Sequence, residues 1–221
     1  MSKDDWFRNI KWNKEIEKFF ELKLKHARGS HSKAQYLRIQ GSYLLDSKKS
    51  ELQHKGIELM KRLINEFPGE VFHTIFATEQ LGDYFFKQEK YQTAEQHFRT
   101  VTNHYYTKTR SGTSGIADIK LSRTIFESNQ QNKFEEAIKI ATEKFEMSDG
   151  SLMMNANKFY YAETLALLFS KMNKIEDAKY YAKQAIELEI NKEPQFSRHK
   201  TVGIANVDKG RIEKLKKIIN R

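Results

Sequence analysis

The chain has 221 residues, which gives room for one large domain or two small ones and for a substantial hydrophobic core. It contains no cysteine, which excludes disulfides, thiolate nucleophiles and cysteine-based zinc sites, and its formal net charge is +10. Only 2 prolines and 10 glycines occur, and helix-favouring residues dominate long windows, so the composition favours an all-α protein over a many-turned β sandwich.

Apolar residues recur at three- and four-residue spacing along most of the chain, which predicts a succession of helices. The first helix is predicted from Asn13 to Ala27, and a break at Gly29 separates it from a second helix that begins near Ser32. Pro68 and Gly69 should end the third helix, because proline cannot continue the hydrogen-bond ladder and glycine tolerates the turn. Three further pairs of helices are predicted within residues 70–106, 116–146 and 152–190.

The predicted unit is therefore a helical hairpin, used four times between residues 32 and 190. Aligning the second helix of each hairpin brings small residues into register at spacings of 38, 43 and 41 residues. These are Gly56, Ala94, Ala137 and Ala178. Small residues belong there because two helix backbones approach closely only where no bulky side chain intervenes.

Two of the hairpins resemble the tetratricopeptide repeat, a helix-turn-helix unit of 34 residues. Residues 75–106 carry the order of residues typical of that family, and residues 159–190 repeat it. The matching positions are Leu81-Gly82, Phe85, Tyr91, Ala94 and Phe98 in the first, and Leu165-Ala166, Phe169, Ala178 and Ala185 in the second. The other two hairpins match at fewer positions, through Phe134 and Ala137 in one and Gly56, Leu63 and Pro68 in the other.

The resemblance implies a right-handed solenoid of helical hairpins in one domain spanning residues 1–221. Because a repeat array needs atypical ends, residues 1–31 and 191–221 are expected to form capping helices on either side of the hairpins in 32–190. Trp6, Phe7 and Trp12 at the N-terminus are expected to pack in the core, with a hydrophobic hook for a partner as the alternative.

In this family the first helix of each hairpin typically lines the groove that holds a partner. By that resemblance the expected partner-binding residues are Phe76, Glu79, Asp83, Phe86 and Lys87 in one hairpin, and Tyr160, Glu163, Leu167 and Lys171 in the last. Acidic residues beside aromatics suit a basic or amphipathic ligand. Arg38, Lys48 and Lys49 make the first hairpin more basic.

Catalytic motifs are missing from the sequence: it has no nucleophile elbow, phosphate-binding loop or zinc-protease helix. His97 and His104 could share a helical face, but a metal site needs three or four converging ligands, so no metal and no cofactor are expected. The glycines of the loop "KTRSGTSG", with Lys108 and Arg110 beside them, could hold an anion, and a flexible connection is the alternative that the sequence favours.

The charges leave more than one partner class open. Residues 1–62 carry 15 basic against 8 acidic residues, residues 63–190 carry 15 against 18, and residues 191–221 carry 9 against 3. The leading hypothesis is a non-catalytic scaffold for a protein or peptide partner, with a bacterial toxin-immunity protein as a special case. Nucleic-acid binding through the basic ends is the alternative. Since no stretch reaches the roughly 18 apolar residues of a membrane span, we expect a cytoplasmic protein that does not bind membranes.

Overall fold

The computed structural model describes residues 5–191 and 193–221, and the regular structure of that part is helical. It contains no strand among those residues, which confirms the all-α prediction. Consecutive helices pack against each other, as expected of helical hairpins, while the handedness of their arrangement stays a prediction. In the described part of the chain no helix combines the length and the apolarity that crossing a bilayer requires.

Contacts divide the chain into two compact units. Unit 1 consists of the residues up to His104 together with Ser111–Thr113, and unit 2 consists of Tyr105–Arg110 together with Ser114–Arg221. The single continuous domain expected over residues 1–221 stays a prediction.

Unit 1 is built from long helices joined by short connections. In chain order they are α1 (Lys14–His26), α2 (Gly29–Leu45), α3 (Ser50–Glu66), α4 (Val71–Lys87) and α5 (Tyr91–Thr107), the last of which extends beyond His104 into unit 2. The Asn13 side chain caps α1 by accepting a hydrogen bond from the Ile16 amide at 2.8 Å. Helix α3 ends at Glu66, just before Pro68 and Gly69, as predicted.

Unit 2 contains two hairpins and a terminal helix. Its helices are α6 (Ala117–Glu127), α7 (Phe134–Lys139), α8 (Phe145–Met147), α9 (Asn155–Lys171), α10 (Ile175–Ile190) and α11 (Lys209–Ile219). A π-helical turn, Ile140–Lys144, joins α7 to α8, so the second helix of the pair predicted within residues 116–146 is continuous but widened in its middle.

Three hairpins turn in the same way. In each, the second residue after the first helix has a left-handed backbone, with φ of 56° at Glu89, 54° at Asn129 and 57° at Asn173. The amide of the following residue donates to the carbonyl five residues earlier, which is the Schellman pattern of helix termination. These bonds run from Lys90 to Phe85 (2.9 Å), from Gln130 to Ile125 (3.3 Å) and from Lys174 to Phe169 (3.0 Å). The repetition supports a shared hairpin unit.

Small residues stand at the closest helix contacts, as the register of the hairpins predicts. Ala94, Ala137 and Ala178 are buried. A Cβ atom at Gly56 would lie only 2.8 Å from the Gly41 carbonyl oxygen, so α2 and α3 approach each other there through their backbones.

Both ends of the described chain are packed. Trp6 lies against Phe20 of α1, with ring centroids 5.4 Å apart, and against Tyr36 of α2 at 4.7 Å. Trp12 also packs on Phe20, at 5.4 Å, so core packing describes these aromatics better than a hydrophobic hook. At the other end, α11 buries Leu215 and Ile218 against α9 and α10, as a capping helix should.

Candidate partner-binding site

The nine residues expected to bind a partner fall into both units: five lie on α4 in unit 1 and four on α9 in unit 2. On α4, Asp83 and Lys87 line a pocket that α4 forms with α2 and α3. Phe76 lies beneath a guanidinium of α2, and Phe86 packs on Tyr91 with ring centroids 5.6 Å apart. Glu79 is only 3% exposed, which removes it from any open surface.

On α9 the largest departure from the expectation is Glu163, which is 2% exposed. Its carboxylate accepts hydrogen bonds from Nη1 of Arg123 at 2.9 Å and from Nε of Arg211 at 2.8 Å. The hydrogen bonds to Glu163 raise the pKa of Arg211. Burial keeps both Glu163 and Glu79 away from an open surface, contrary to what a groove-lining position implies, and their contact with a partner stays an untested prediction.

The remaining predicted residues of α9 differ in their exposure. Tyr160 and Leu167 are half-buried, and Leu167 packs against the apolar core of α9, α10 and α11. Lys171 is exposed at the last position of α9. Binding through these three residues stays a prediction.

The loop considered for anion binding uses its arginine internally. Arg110 donates from Nη2 to Asp118 Oδ2 at 2.6 Å, from Nη1 to the Gly115 carbonyl at 2.7 Å and from Nε to the Ser148 carbonyl at 2.8 Å. Burial raises the pKa of Asp118, and the bond to Arg110 opposes that shift. The guanidinium therefore holds the loop on unit 2, and its donors are occupied.

The histidines do not assemble a metal centre in the described part of the chain, where no group of three or more potential ligands is placed to hold an ion. The ring of His97 stacks on Phe85 with centroids 5.5 Å apart, and burial lowers the pKa of His97.

The pocket of unit 1 has a volume of about 340 Å³. It lies where α2 and α4 end and α3 begins, and it is lined mainly by polar residues. The lining consists of Ser42, Leu45, Asp46, Ser47, Gln53, Gln80, Asp83, Tyr84, Lys87 and Gln88. This volume is at the lower end of ligand-binding cavities and suits a single long side chain.

Side-chain hydrogen bonds hold the pocket walls in place. Gln80 of α4 donates to Ser42 of α2 at 2.9 Å, and the Tyr84 hydroxyl donates to Gln53 of α3 at 3.3 Å. Gln53 in turn donates to the Ser47 carbonyl at 2.7 Å. Three elements are thus tied together around the cavity before any ligand enters.

The electrostatics of the pocket favour a cation. The C-terminal ends of α2 and α4, at Leu45 and Lys87, bring the partial negative charge of their terminal carbonyls to its rim, against the partial positive charge of one N-terminus, that of α3. Two carboxylates, Asp46 and Asp83, line the cavity against one ammonium group. Within the described residues the Oε1 atom of Gln80 is buried without a hydrogen-bond partner, which adds an acceptor to this region.

One helical turn before the pocket, the facing surfaces of α2 and α4 carry Arg38 and Phe76. The guanidinium carbon of Arg38 lies 4.4 Å from the centre of the Phe76 ring, and Nε lies 3.4 Å from Nδ1 of His73. His73 is 2% exposed, and burial together with the charge of Arg38 lowers the pKa of His73 to about 4. His73 is therefore neutral near pH 7, and Arg38 is the fixed charge of this surface.

Sequence reasoning missed Asp46, Gln53 and Gln80 as pocket residues, and it noted Arg38 only as a source of basicity. Gln80 and Asp83 lie three residues apart on α4, which indicates a shared face. Asp46 and Gln53 lie on either side of the α2–α3 turn, so their approach to α4 depends on tertiary packing. The spacing of single residues could not predict that part of the pocket.

No family model, curated protein or solved structure matches this chain with significant similarity.

Proposed function

We propose that the protein is a non-catalytic scaffold for a protein or peptide partner, and that the unit 1 pocket receives a basic side chain of that partner. The pocket itself carries the proposal. Two helix C-termini and two carboxylates surround a cavity of about 340 Å³ whose walls are fixed by hydrogen bonds. A lysine or arginine side chain matches this cavity in charge and in length.

The arrangement favours a cationic group over an apolar one. An apolar side chain would cover the polar lining of the pocket without offering it a hydrogen bond. A guanidinium or ammonium group instead offers several donors to the carboxylates of Asp46 and Asp83. Lys87 stands at the rim, where an exposed flexible side chain can move aside.

The experiment is affinity capture of the tagged full-length chain from the cells that produce it, with nuclease treatment and quantitative mass spectrometry. The variant Asp46→Asn/Asp83→Asn removes both negative charges while keeping side-chain size. Glu135→Gln/Glu193→Gln makes the same change of charge at two exposed positions outside the pocket. We expect the first variant to bind its partner with an affinity that is weaker by on the order of tenfold or more, since hydrogen bonds to charged groups contribute about 1.5–3 kcal/mol.

The outcomes separate the competing functions. A stoichiometric protein that binds both variants equally well would contradict the pocket assignment. A partner with toxin activity that the chain inhibits would identify the protein as an immunity protein. Loss of every partner on nuclease treatment would favour nucleic-acid binding through the basic ends instead.

A further inference from the structure

Arg38 differs from the other half-buried arginines of the two units in its partners. Arg62, Arg110, Arg123 and Arg211 each form an ion pair with at least one carboxylate. In the part of the chain that the structure describes, the contacts of Arg38 are the Phe76 ring and His73 Nδ1, both uncharged. Its Nη1 and Nη2 groups therefore meet no acceptor among residues 5–191 and 193–221.

The position of Arg38 makes this difference informative. The side chain is half-buried, and burial lowers the pKa of Arg38, which measures the cost of keeping this charge partly away from water. The contact with the Phe76 ring, 4.4 Å from the guanidinium carbon to the ring centre, restricts the side chain and so reduces the conformational freedom that binding would remove. A partly desolvated, oriented guanidinium is suited to a planar, bidentate acceptor.

Unit 2 indicates which acceptor fits. Arg123 of α6 lies 6.0 Å from the ring centre of Tyr160 on α9, as Arg38 of α2 lies over Phe76 on α4. Arg123 is paired with the carboxylates of Glu127 and Glu163. In unit 1, Glu79 stands three residues after Phe76 as Glu163 stands three residues after Tyr160, but Glu79 is buried and does not pair with Arg38 in the described part of the chain. Arg38 therefore lacks the carboxylate partner that Arg123 has.

The charge at the site also favours a carboxylate over a phosphate. Among the described residues that contact this site Arg38 is the fixed cation, because His73 is neutral near pH 7, and Glu70 lies at the N-cap of α4, three residues before His73. A single positive charge balances a monoanion, whereas a phosphate dianion would be left with excess negative charge near Glu70. His31, whose ring centroid is 4.6 Å from that of His73, is hydrogen-bonded to Glu70 at 3.2 Å.

We propose that Arg38 binds an aspartate or glutamate side chain of the same partner segment whose basic side chain enters the unit 1 pocket. This inference rests on the proposed function and specifies the ligand. A side chain fits better than a chain end, since the α2–α4 surface continues beyond Arg38 in both directions, to His31 and Glu70 on one side and to the pocket on the other.

The spacing between the two charges of the ligand follows from α4. Phe76, beneath Arg38, and Asp83, in the pocket, are seven residues apart, or about 10 Å along the helix axis. An extended peptide covers that distance in about three residues. The simplest probe is therefore N-acetyl-Lys-Gly-Gly-Glu-amide, with N-acetyl-Lys-Gly-Gly-Gln-amide as the neutral comparison.

The experiment is a double-mutant cycle on the full chain, with dissociation constants from NMR titration and the Arg38 Nε–H signal as a local reporter. The two peptides are compared on the wild type, on Arg38→Gln, and on Arg62→Gln as a control with the same loss of charge at an already paired arginine. We expect the glutamate peptide to bind the wild type and Arg62→Gln about tenfold more tightly than the glutamine peptide, and Arg38→Gln to bind both equally. Arg38→Lys, which keeps the charge without the planar fork, should retain part of the difference.

Several results would overturn the inference. Equal binding of the two peptides to the wild type, or a preference for glutamate that survives in Arg38→Gln, would show that Arg38 does not select a carboxylate. If N-acetyl-Lys-Gly-Gly-Gln with a free C-terminal carboxylate binds more tightly than the glutamate amide, the ligand group is a chain end. If inorganic phosphate shifts the Arg38 signal and acetate does not, the site prefers phosphate.

Measuring the pocket variant beside Arg38→Gln distinguishes a failure of the Arg38 inference from a failure of the proposed function. Loss of peptide binding in Asp46→Asn/Asp83→Asn with no effect of Arg38→Gln would leave the pocket as a basic-side-chain site and refute only the role of Arg38. Binding that neither variant changes would refute both.

Discussion

Each unit places an arginine over an aromatic ring, and the two arginines differ in their partners. In each, an arginine from the first helix of one hairpin lies over an aromatic ring from the first helix of the next: Arg38 over Phe76 in unit 1 and Arg123 over Tyr160 in unit 2. In unit 2 the chain supplies the carboxylate of Glu163, and the terminal helix α11 adds Arg211 to it. In unit 1, Arg38 contacts Phe76 and His73 instead of a carboxylate, and it lies one helical turn from the unit 1 pocket. The difference teaches that an arginine lying over a ring can be paired with a carboxylate of the same unit or, within the described residues, be left without one.

The largest expected effect on stability comes from removing Glu163, the carboxylate that pairs with two arginines in unit 2. Replacing Glu163 by alanine leaves Arg123 and Arg211 without their shared partner, and removing one member of a buried pair typically costs about 3–5 kcal/mol. Because Arg123 keeps Glu127 and Arg211 is partly exposed, we expect a loss of about 3 kcal/mol in the free energy of unfolding of unit 2. Denaturant unfolding followed by circular dichroism measures it.

The control for that variant is Glu213→Ala, which removes an exposed pair with Lys216 and should change stability by less than about 0.5 kcal/mol. Equal stability losses in the two variants would show that Glu163 is not the organising carboxylate of unit 2.

A second prediction concerns the hairpin that carries Arg38. Gly56→Ala would push a methyl group against the backbone of α2, 2.8 Å from the Gly41 carbonyl oxygen, where no side chain can rotate away. Overpacking of this kind costs about 1–3 kcal/mol of stability. We expect a loss in the upper half of that range, measured by thermal unfolding. Gly69→Ala is the control, since a Cβ atom there meets nothing within 4 Å. A Gly56→Ala protein as stable as the wild type would mean that α2 and α3 separate easily.

Lowering the pH should destabilise unit 1 because the folded chain resists protonation of His73. Its pKa is about 4 in the folded chain against an ordinary value of 6.5, so the unfolded state takes up the proton first as the pH falls. The contribution to stability is full above about pH 6.5, declines between about 6.5 and 4, and is constant below that range, with a total loss of about 3 kcal/mol. Measured unfolding free energies of the wild type and of His73→Gln should diverge above pH 4. A wild-type profile no steeper than that of His73→Gln would contradict the assignment.

The smallest expected effect concerns the shared turn. Glu89 holds a left-handed backbone that glycine adopts without cost, so Glu89→Gly should stabilise the chain by about 0.5–1 kcal/mol. Asn129 and Asn173 occupy the equivalent place in the hairpins of unit 2, and asparagine tolerates this conformation better, so Asn173→Gly should gain less. Melting temperatures of the two variants and the wild type test this order, with the larger increase expected for Glu89→Gly. A larger gain from Asn173→Gly would indicate that the turns are not equivalent.

The helices and their small-residue contacts could be predicted from the sequence because apolar spacing and glycine or proline breaks are local signals. Gly56 and Ala94 follow from that pattern, as do the end of α3 and the terminal helix α11. The burial of Glu163 could not be predicted, since it depends on Arg211, 48 residues away, reaching back from α11.

The candidate site was predicted only in part for the same reason. Asp83 and Lys87 lie on the helix face that the resemblance indicated, whereas Asp46 joins them through the turn between α2 and α3. The sequence also could not show that Arg38 has no carboxylate partner in the described part of the chain. Only the comparison with Arg123 in the folded chain distinguishes an arginine with carboxylate partners from one without them.

The packing of the N-terminal aromatics has a spectroscopic consequence. The chain has 2 tryptophans, Trp6 and Trp12, and both lie in unit 1 against the same ring, Phe20. Indole fluorescence excited beyond the tyrosine absorption therefore comes from unit 1 alone, while unit 2 emits nothing at that wavelength. Comparing this emission with the ellipticity of the whole chain would separate the melting of the two units without an added label.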